Sequence, residues 1–427
     1  MARAIKGNEE AKRWFEHNFP TALRPQGTDI IRTWAFYTIF RTYTLTGEKP
    51  WNDVLINGMV AGPDGRKMSK SYGNVVAPPD EVIPKYGADA SGSGPPLHRP
   101  ERTTPSSGRP LTTTTASSRR SGTSTASPRD TCLTSTRATP PEELEPLDRW
   151  ILSRLHRLIR FATEEMERYR FNLLTRELMN FVWHEVADDY IEMIKHRLYG
   201  EDEESKLKAK AALYELLYNV MLLLAPPLTP PHITEELYQE IFRNRVGAKS
   251  VHLLEWPKYD EGRISEEAER LGELAREIIG AMRRYKNGHG LSLNAKLKHV
   301  AIYATESYGG ALKSIEGGDI AGTMNIERLE IIKGEPELEE RITEIKPNFR
   351  TVGPRYGKLV PKITAYLKEN AVEVAKSLKE NGKVEFEVDG QKVELSKDDI
   401  VIRKAVFSEG EEVETAVVGG DAVIVFF

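Results

Sequence analysis

The 427-residue sequence contains a single cysteine, Cys132, which excludes disulfide frameworks and cysteine-based zinc sites. Positive charge is not in excess, because 60 Lys and Arg residues stand against 64 Asp and Glu residues. Any binding of a nucleic acid must therefore depend on local basic patches. Long apolar runs are also missing: residues 216–225 form the longest, too short to span a bilayer. With no secretory signal pattern at the N-terminus, we expect a cytoplasmic protein without membrane contact, and no metal site.

Residues 91–140 have a composition unlike that of the remaining sequence. They contain 12 Thr, 10 Ser, 7 Pro, 7 Arg and 4 Gly, but no Lys, Ile, Val, Phe, Tyr, Trp or Met. Such a segment cannot bury enough apolar surface to offset the entropy of ordering, which predicts disorder. Two explanations stay open. The segment is a Ser/Thr/Pro-rich linker, or it is translated from a shifted reading frame, because the ACN codons of Thr112 to Thr115 become NAC codons for Asp, Asn, His or Tyr in another frame.

The sequence on either side of this segment falls into three regions. Residues 1–90 combine helical patterns with an apolar, β-branched strand at 54–60, which indicates an α/β layer. Residues 141–290 carry apolar side chains at helical spacing and short loops, which predicts a helical bundle. Residues 291–427 contain alternating strands, with an Asp389-Gly390 turn between two of them, and predict a small α+β domain. The expected fold class is therefore mixed.

Two lysines, Lys67 and Lys70, lie in a loop bracketed by Gly65 and Gly73. Ammonium groups at this spacing on a mobile loop can close over a triphosphate and neutralise the charge that develops as pyrophosphate leaves. The flanking glycines supply the freedom of a hinge. The two lysines alone are equally compatible with an ordinary basic surface loop.

A second candidate group precedes this loop. Gly27 allows a ligand to approach the backbone closely. Asp29, at the start of a predicted helix, either caps that helix or binds a ribose hydroxyl. Trp34 lies on the same amphipathic helix, where an aromatic residue is ordinarily part of the core.

The complete string Lys67-Met68-Ser69-Lys70-Ser71 resembles the second signature of class I aminoacyl-tRNA synthetases. It follows an apolar strand and precedes Tyr72-Gly73-Asn74, as in that family. Together with residues 23–34, it is similar to the archaeal-type branch of the valyl-tRNA synthetase family. Isoleucine enzymes usually have Asp-Gln where this chain has Asp29-Ile30, which favours valine.

The resemblance implies a fold and a set of roles. Residues 1–90 would form the C-terminal part of a class I catalytic domain, a partial α/β nucleotide-binding half of Rossmann-like fold. Lys67 and Lys70 would be catalytic, and Trp34 would line the amino-acid pocket. The residues implied to bind ATP or its adenylate are Gly27, Asp29, Ser69, Lys70 and Ser71. The implied substrates are valine, tRNA(Val) and ATP accompanied by Mg²⁺, and no zinc is expected.

The same resemblance implies that residues 141–290 bind the anticodon end of the tRNA. Arg154, Arg157 and Lys195 are candidates for phosphate contacts, and a solvated helix face explains them equally well. Residues 184, 192 and 196 lack the convergent ligands that a metal site needs. Helical spacing predicts a core formed by Trp183, Val186, Tyr190 and Ile194. Residues 346–358 also match the archaeal-type branch, and they suit either a loop that contacts a nucleic-acid backbone or a structural turn.

The His-x-Gly-His signature of the family is missing, since Gly288-His289-Gly290 has one histidine and follows the predicted bundle. The sequence therefore resembles the C-terminal half of a synthetase, without the first half of the nucleotide site or the editing domain. We expect it to be inactive alone, with a separate N-terminal half as a further partner. The alternatives are a non-catalytic tRNA-binding module and an isoleucine-specific relative.

Overall fold

The computed structural model describes residues 7–58, 60–62, 64–74, 83–84, 87–89, 104–105, 144–226, 231–305, 312, 318–419 and 422–427. Apart from Thr104 and Pro105, the anomalous segment 91–140 lies outside these residues. Its predicted disorder and the two explanations for its composition therefore concern residues outside the described ones. The chain divides by its internal contacts into two units, Met1–Glu269 and Arg270–Phe427. The four-part division predicted from the sequence stays a prediction, whereas the predicted mixture of helix and sheet is confirmed.

The first unit begins with two helices and short parallel strands. Its elements are α1 (Glu9–Asn18), β1 (Thr21–Gly27), α2 (Phe36–Thr46), β2 (Trp51–Asn57), β3 (Val60–Ala61) and β4 (Thr104–Pro105). β1 and β2 pair in parallel, with Gly27 opposite Asn57 at their carboxyl ends. The predicted strand at 54–60 is therefore divided between β2 and β3. The helix predicted after Gly27 starts with a 3-10 turn and a π-helical turn before α2.

The rest of the first unit is helical, as predicted. Its helices are α3 (Pro146–Glu167), α4 (Phe171–Asn180), α5 (Ile191–Leu198), α6 (Glu203–Leu224), α7 (Pro231–Leu237) and α8 (Arg243–Val246). A π-helical segment, Phe181–Tyr190, joins α4 to α5. Of the predicted core residues in this region, Val186, Tyr190 and Ile194 are buried, whereas Trp183 is half-buried and stacks beside His184. In the described residues no helix is long and apolar enough to cross a membrane.

A buried ion pair joins the first helix of this bundle to α5. The Asp148 carboxylate is fully buried and accepts hydrogen bonds from both terminal nitrogens of Arg197, at 3.0 and 2.8 Å. It also accepts a hydrogen bond from the Tyr190 hydroxyl at 2.8 Å. Since these groups satisfy one another away from water, the removal of one leaves the others with an uncompensated charge or donor.

The second unit contains a six-stranded sheet covered by helices. Its elements are β5 (Leu297–Ala304), α10 (Asp319–Met324), β6 (Ile326–Lys333), β7 (Glu339–Pro347), α11 (Phe349–Tyr356), α12 (Val360–Glu369), α13 (Ala371–Asn381), β8 (Lys383–Val388), β9 (Gln391–Ser396), β10 (Ile400–Ser408), β11 (Glu411–Val418) and β12 (Ala422–Phe426). The division between the units falls within α9 (Glu266–Gly288). The sheet order is β6-β5-β12-β11-β10-β7. β8 and β9 form a separate hairpin through Asp389 and Gly390, both at positive φ, which confirms the predicted turn.

We expect Asp148→Ala to lower the free energy of unfolding by about 3 kcal/mol, because the buried Arg197 guanidinium then keeps only the partly exposed Glu145 carboxylate, at 3.2 Å, as an ion-pair partner. Urea unfolding of the full chain, followed by far-UV circular dichroism, measures the loss. Glu204→Ala is the matched control, because its ion pair with Lys208 lies on the surface, and it should change stability by less than about 1 kcal/mol. Equal stability of the two variants would contradict the assigned role of Asp148.

Candidate active site

The candidate site lies at the carboxyl ends of β1 and β2. In open parallel sheets, ligands bind in the crevice beyond the carboxyl ends of the strands. Gly27 is the last residue of β1, and the 3-10 turn Thr28–Ile30 follows it directly. The loop that carries Lys67 and Lys70 follows β3 in the same part of the chain. One residue of each sequence motif, Asp29 and Lys67, comes into contact at this end of the strands.

Asp29 and Lys67 form an ion pair that joins the two motifs. The Lys67 Nζ donates a hydrogen bond of 2.7 Å to the Asp29 Oδ2, across 38 residues of sequence. This hydrogen bond and the ammonium charge of Lys67 hold the pKa of Asp29 below its ordinary value. Asp29 has no bond that caps the following helix in the structure; its carboxylate instead receives the lysine. Both side chains stay accessible, with 62% of Lys67 and 41% of Asp29 exposed.

Gly27 leaves room for the Asp29 side chain. An added Cβ at residue 27 would lie 2.7 Å from the Asp29 Oδ1, so the carboxylate would have to shift. The backbone of Gly27 has negative φ, so its conformation alone does not demand glycine. A larger residue here would therefore act by displacing the Asp29 carboxylate.

Asn74 fixes the base of the lysine loop, a role that the sequence analysis missed. Its Oδ1 accepts the Ser69 amide N–H at 2.8 Å, and its Nδ2 donates to Asp64 at 3.0 Å and to the Lys67 carbonyl at 3.3 Å. The hydrogen bond from the Asn74 side chain, together with one from the Arg66 backbone amide, holds the pKa of Asp64 below its ordinary value. The sequence feature that could have indicated this role is the position of Asn74 directly after Gly73, a glycine with positive φ.

The remaining loop residues lie close to this frame. The Ser69 and Ser71 hydroxyls are 2.7 Å apart, and the Ser69 Oγ accepts the Ser71 amide at 3.3 Å. The backbone of Lys70 begins a 3-10 turn that ends at Tyr72. The nucleotide contacts assigned to Ser69, Lys70 and Ser71 stay predictions.

Trp34 belongs to a stack of three side chains. The Arg24 guanidinium lies 3.9 Å above the Trp34 ring, and Trp51 stacks on it with ring centroids 6.0 Å apart. Trp51 is buried, whereas Trp34 is 40% exposed. The stack fixes the orientation of Trp34 and leaves one region of its surface open. The structure therefore presents Trp34 as a partly exposed ring and not as an ordinary core residue; its assignment to an amino-acid pocket stays a prediction.

Two contacts join this region to the helical bundle. The Tyr169 hydroxyl donates a hydrogen bond of 3.2 Å to Asp53 on β2. Asp89 accepts the backbone amides of His232 and Ile233, at 3.1 and 2.8 Å, at the start of α7. Neither acidic residue was a candidate from sequence, because each pairs with a residue more than a hundred positions away.

The three candidate phosphate contacts are held by carboxylates. Arg154 makes a bidentate pair with Glu185 at 2.9 and 3.0 Å, and Arg157 pairs with Glu269 at 2.6 Å. Lys195 pairs with Glu192 at 2.6 Å on an exposed helix face. A phosphate would have to compete with these carboxylates, and the assignment stays a prediction. Within the described part of the chain, no cluster of three or more His, Cys, Asp or Glu side chains could hold a metal.

Comparison with known proteins gives two family matches. Residues 1–91 match class I tRNA synthetases (I, L, M and V), and residues 148–302 match the anticodon-binding domain of tRNA ligase. The chain is 78% identical over 424 residues to the valine–tRNA ligase of Thermococcus kodakarensis, covering 99% of this chain and 47% of that protein. It is 70% identical over 425 residues to that of Pyrococcus furiosus, with the same shares covered. The resemblance read from the sequence is thus confirmed.

More distant relatives agree. The valine–tRNA ligase of Methanosarcina barkeri is 39% identical over 422 residues, which cover 96% of this chain and 46% of that protein. The chain thus spans about half the length of the curated relatives it matches. A solved ternary complex of LeuRS, tRNA and LeuAMS from Agrobacterium radiobacter K84 has a TM-score of 0.47 and 18% identity, over 74% of this chain and 37% of that one.

We expect Asn74→Ala to release the lysine loop, because it removes the acceptor of the Ser69 amide and the donor to Asp64. Hydrogen exchange of the full chain, resolved to peptides that contain Ser69, should accelerate by about fivefold for that amide, since one hydrogen bond contributes about 1 kcal/mol. Asn52→Ala, at an exposed position of β2, is the control and should leave this exchange unchanged. Unaltered exchange in Asn74→Ala would show that the loop is fixed by other contacts.

The ion pair between Asp29 and Lys67 should be lost at low pH. Because the pKa of Asp29 is lowered, the pair is intact at neutral pH and is lost as the pH falls through this lowered value. Lys67→Ala should move the pKa of Asp29 up towards its ordinary value of 3.8, whereas Arg66→Ala should leave it in place. A carboxyl-carbon NMR titration measures both variants, and an identical Asp29 titration in Lys67→Ala would disprove the pairing.

Proposed function

We propose that this chain is the C-terminal half of a valine–tRNA ligase, which activates valine with ATP and esterifies it to tRNA(Val) in the cytoplasm. The two family matches and the identity to valine–tRNA ligases support this assignment. The observation that carries it is the ion pair of Lys67 with Asp29, which brings the lysine loop beside the carboxyl ends of β1 and β2. In this proposal, residues 1–90 are the later part of a Rossmann-like catalytic domain.

The reaction begins when a carboxylate oxygen of valine attacks the α-phosphorus of ATP. The bond from that phosphorus to the bridging oxygen breaks, and pyrophosphate leaves with the electron pair. Transfer of this kind depends on positioning and on charge stabilisation more than on covalent help from the protein. The Lys67 and Lys70 ammonium groups stabilise the departing phosphates. A ribose hydroxyl of the tRNA then attacks the activated carbonyl, and AMP leaves.

The exposed ion pair suits a loop that changes partners. Ion pairs between solvent-accessible side chains are weak, so a triphosphate with several negative charges can replace Asp29 as the partner of Lys67. Asp29 then becomes available to accept a ribose hydroxyl of the nucleotide. Mg²⁺ would be held chiefly by the substrate phosphates, as is usual for nucleotide sites.

The exposed apolar surface of α2 supports a requirement for a complementary half. Five of its side chains are more than half exposed: Phe36, Tyr37, Phe40, Tyr43 and Leu45. Parallel sheets ordinarily have both faces covered, yet β1 and β2 form a sheet of only two strands in the described structure. Apolar surfaces of this extent mark sites of association. We therefore infer that the catalytic site is completed by a separate N-terminal half, and that this chain alone is inactive.

The bundle is proposed to bind the anticodon end of the tRNA. A groove of about 450 Å³ lies on its surface. It is lined by Arg154, Arg157, Leu158, Arg160, Phe161, Glu164, Glu177 and Phe181. Arginine and aromatic side chains together suit the phosphates and unstacked bases of an RNA loop.

The purified chain should show no valine-dependent exchange of pyrophosphate into ATP, and it should gain this activity when mixed with the N-terminal half of a close relative. In the mixture, Lys67→Ala and Lys70→Ala should each lower the rate by about 10²–10³-fold, the effect of removing one group that stabilises transition-state charge. Lys49→Ala, at an exposed position of the same region, is the control and should retain full activity.

Each alternative predicts a different outcome of this assay. Exchange by the isolated chain would contradict the requirement for a second half. Dependence on isoleucine instead of valine would identify an isoleucine-specific relative. Salt-sensitive tRNA binding without any exchange in the mixture would favour a non-catalytic tRNA-binding module.

A further inference from the structure

A strongly basic segment lies in the second unit, outside both family matches. Residues 345–368 contain six cationic side chains and no Asp or Glu, in a chain whose formal net charge is −4. The six are Lys346, Arg350, Arg355, Lys358, Lys362 and Lys368. The segment covers the end of β7, the whole of α11 and most of α12.

Three of these cations have structural partners. Arg355 pairs with the buried Asp399 at 2.8 Å and donates to the Glu394 carbonyl at 2.9 Å, which fixes α11 to β9 and to the turn before β10. Burial raises the pKa of Asp399, but hydrogen bonds from the Ser396 amide, from the Thr351 and Ser396 hydroxyls and from Arg355 lower it to about 2. Lys346 pairs with Glu344, and Lys362 pairs with Asp389. The sequence left open whether residues 346–358 form a structural turn or a loop that contacts a nucleic-acid backbone. Arg355 lies instead within the helix α11, and its contacts there are structural.

Arg350, Lys358 and Lys368 differ from these three. All are exposed, and none has an ion-pair partner among the residues that the structure describes. Arg350 lies in α11 and Lys358 in the 3-10 turn that follows it, whereas Lys368 lies near the end of α12. The segment around α11 therefore carries two exposed charges, Arg350 and Lys358, that no carboxylate among the described residues neutralises.

An exposed aromatic residue directly precedes Arg350 in the sequence. Phe349, the first residue of α11, is 59% exposed. Its exposure does not come from a missing core, because Val352, Ile363 and Leu367 of the same two helices are fully buried among apolar neighbours. The two helices therefore bury their apolar residues in a complete core. Elsewhere the segment exposes the Phe349 ring and the charges of Arg350 and Lys358.

We propose that Phe349, Arg350 and Lys358, here called the basic face, bind the RNA backbone and stack on an unpaired base of the tRNA. Cations neutralise phosphates and release their counterions, while an exposed ring stacks on a base without regard to its identity. This inference rests on the proposed function for the identity of the RNA, and it gives the second unit a role in holding that substrate.

Binding of a tRNA(Val) transcript to the full chain, measured by fluorescence anisotropy over a range of salt concentrations, tests the basic face. The double variant Arg350→Ala/Lys358→Ala should weaken binding by about fivefold to tenfold and reduce the salt slope by about two, because two phosphate contacts are lost. Phe349→Ala should weaken binding by about fivefold or more while leaving the salt slope unchanged. Thermal unfolding should be the same in all variants, since the three side chains are exposed.

Lys392→Ala/Lys404→Ala is the matched control, because it removes two exposed lysines of the same unit that already pair with Glu385 and Glu340. It should bind as the parent chain does. Parental affinity and slope in Arg350→Ala/Lys358→Ala would overturn this inference alone and leave the proposed function intact. An equal loss in the control would also overturn it, as a general effect of charge. No tRNA binding by the parent chain would overturn the basic face and the proposed tRNA substrate together.

Discussion

A flexible lysine loop can act on a nucleotide only if its position relative to the strands is fixed, and the ion pair of Lys67 with Asp29 provides that constraint. The pair connects the loop to the turn that follows β1. Gly27 makes room for the carboxylate, and Asn74 closes the base of the loop. Because both partners of the pair are exposed, the interaction is weak enough for an incoming anion to replace it. A site that is positioned but exchangeable is what nucleotide activation requires.

The same region is also incomplete as a folded structure. β1 and β2 pair only with each other among the described strands, and α2 presents aromatic side chains to solvent. The bundle, by contrast, has a closed core and a buried ion pair between Asp148 and Arg197. Stability and catalysis therefore have different requirements in this chain. The bundle buries a large apolar core, whereas the region of β1, β2 and α2 exposes apolar surface.

The predictable parts of the fold and site are those encoded by local sequence. Helical periodicity located the bundle, Asp389-Gly390 located a hairpin, and the string from Lys67 to Ser71 located the loop. Contacts between distant residues were not predictable in this way. The sequence made Arg154 and Arg157 candidates for phosphate contacts or for a solvated helix face. Their carboxylate partners lie 31 and 112 residues away and could not be foreseen. Asn74 was overlooked because its role depends on the loop folding back, which no periodicity records. Residues 346–358 stood out by their resemblance to the family, but only the structure separates Arg355, which is paired, from Arg350.

The central claim is that the lysine loop faces the phosphates of a nucleotide. Amine-acylation footprinting of the chain mixed with a complementary N-terminal half, with and without ATP and Mg²⁺, tests it most directly. The account predicts that ATP protects Lys67 and Lys70 while Lys49 reacts at an unchanged rate. Equal reactivity of Lys67 and Lys70 in both conditions, with nucleotide binding verified separately, would contradict it.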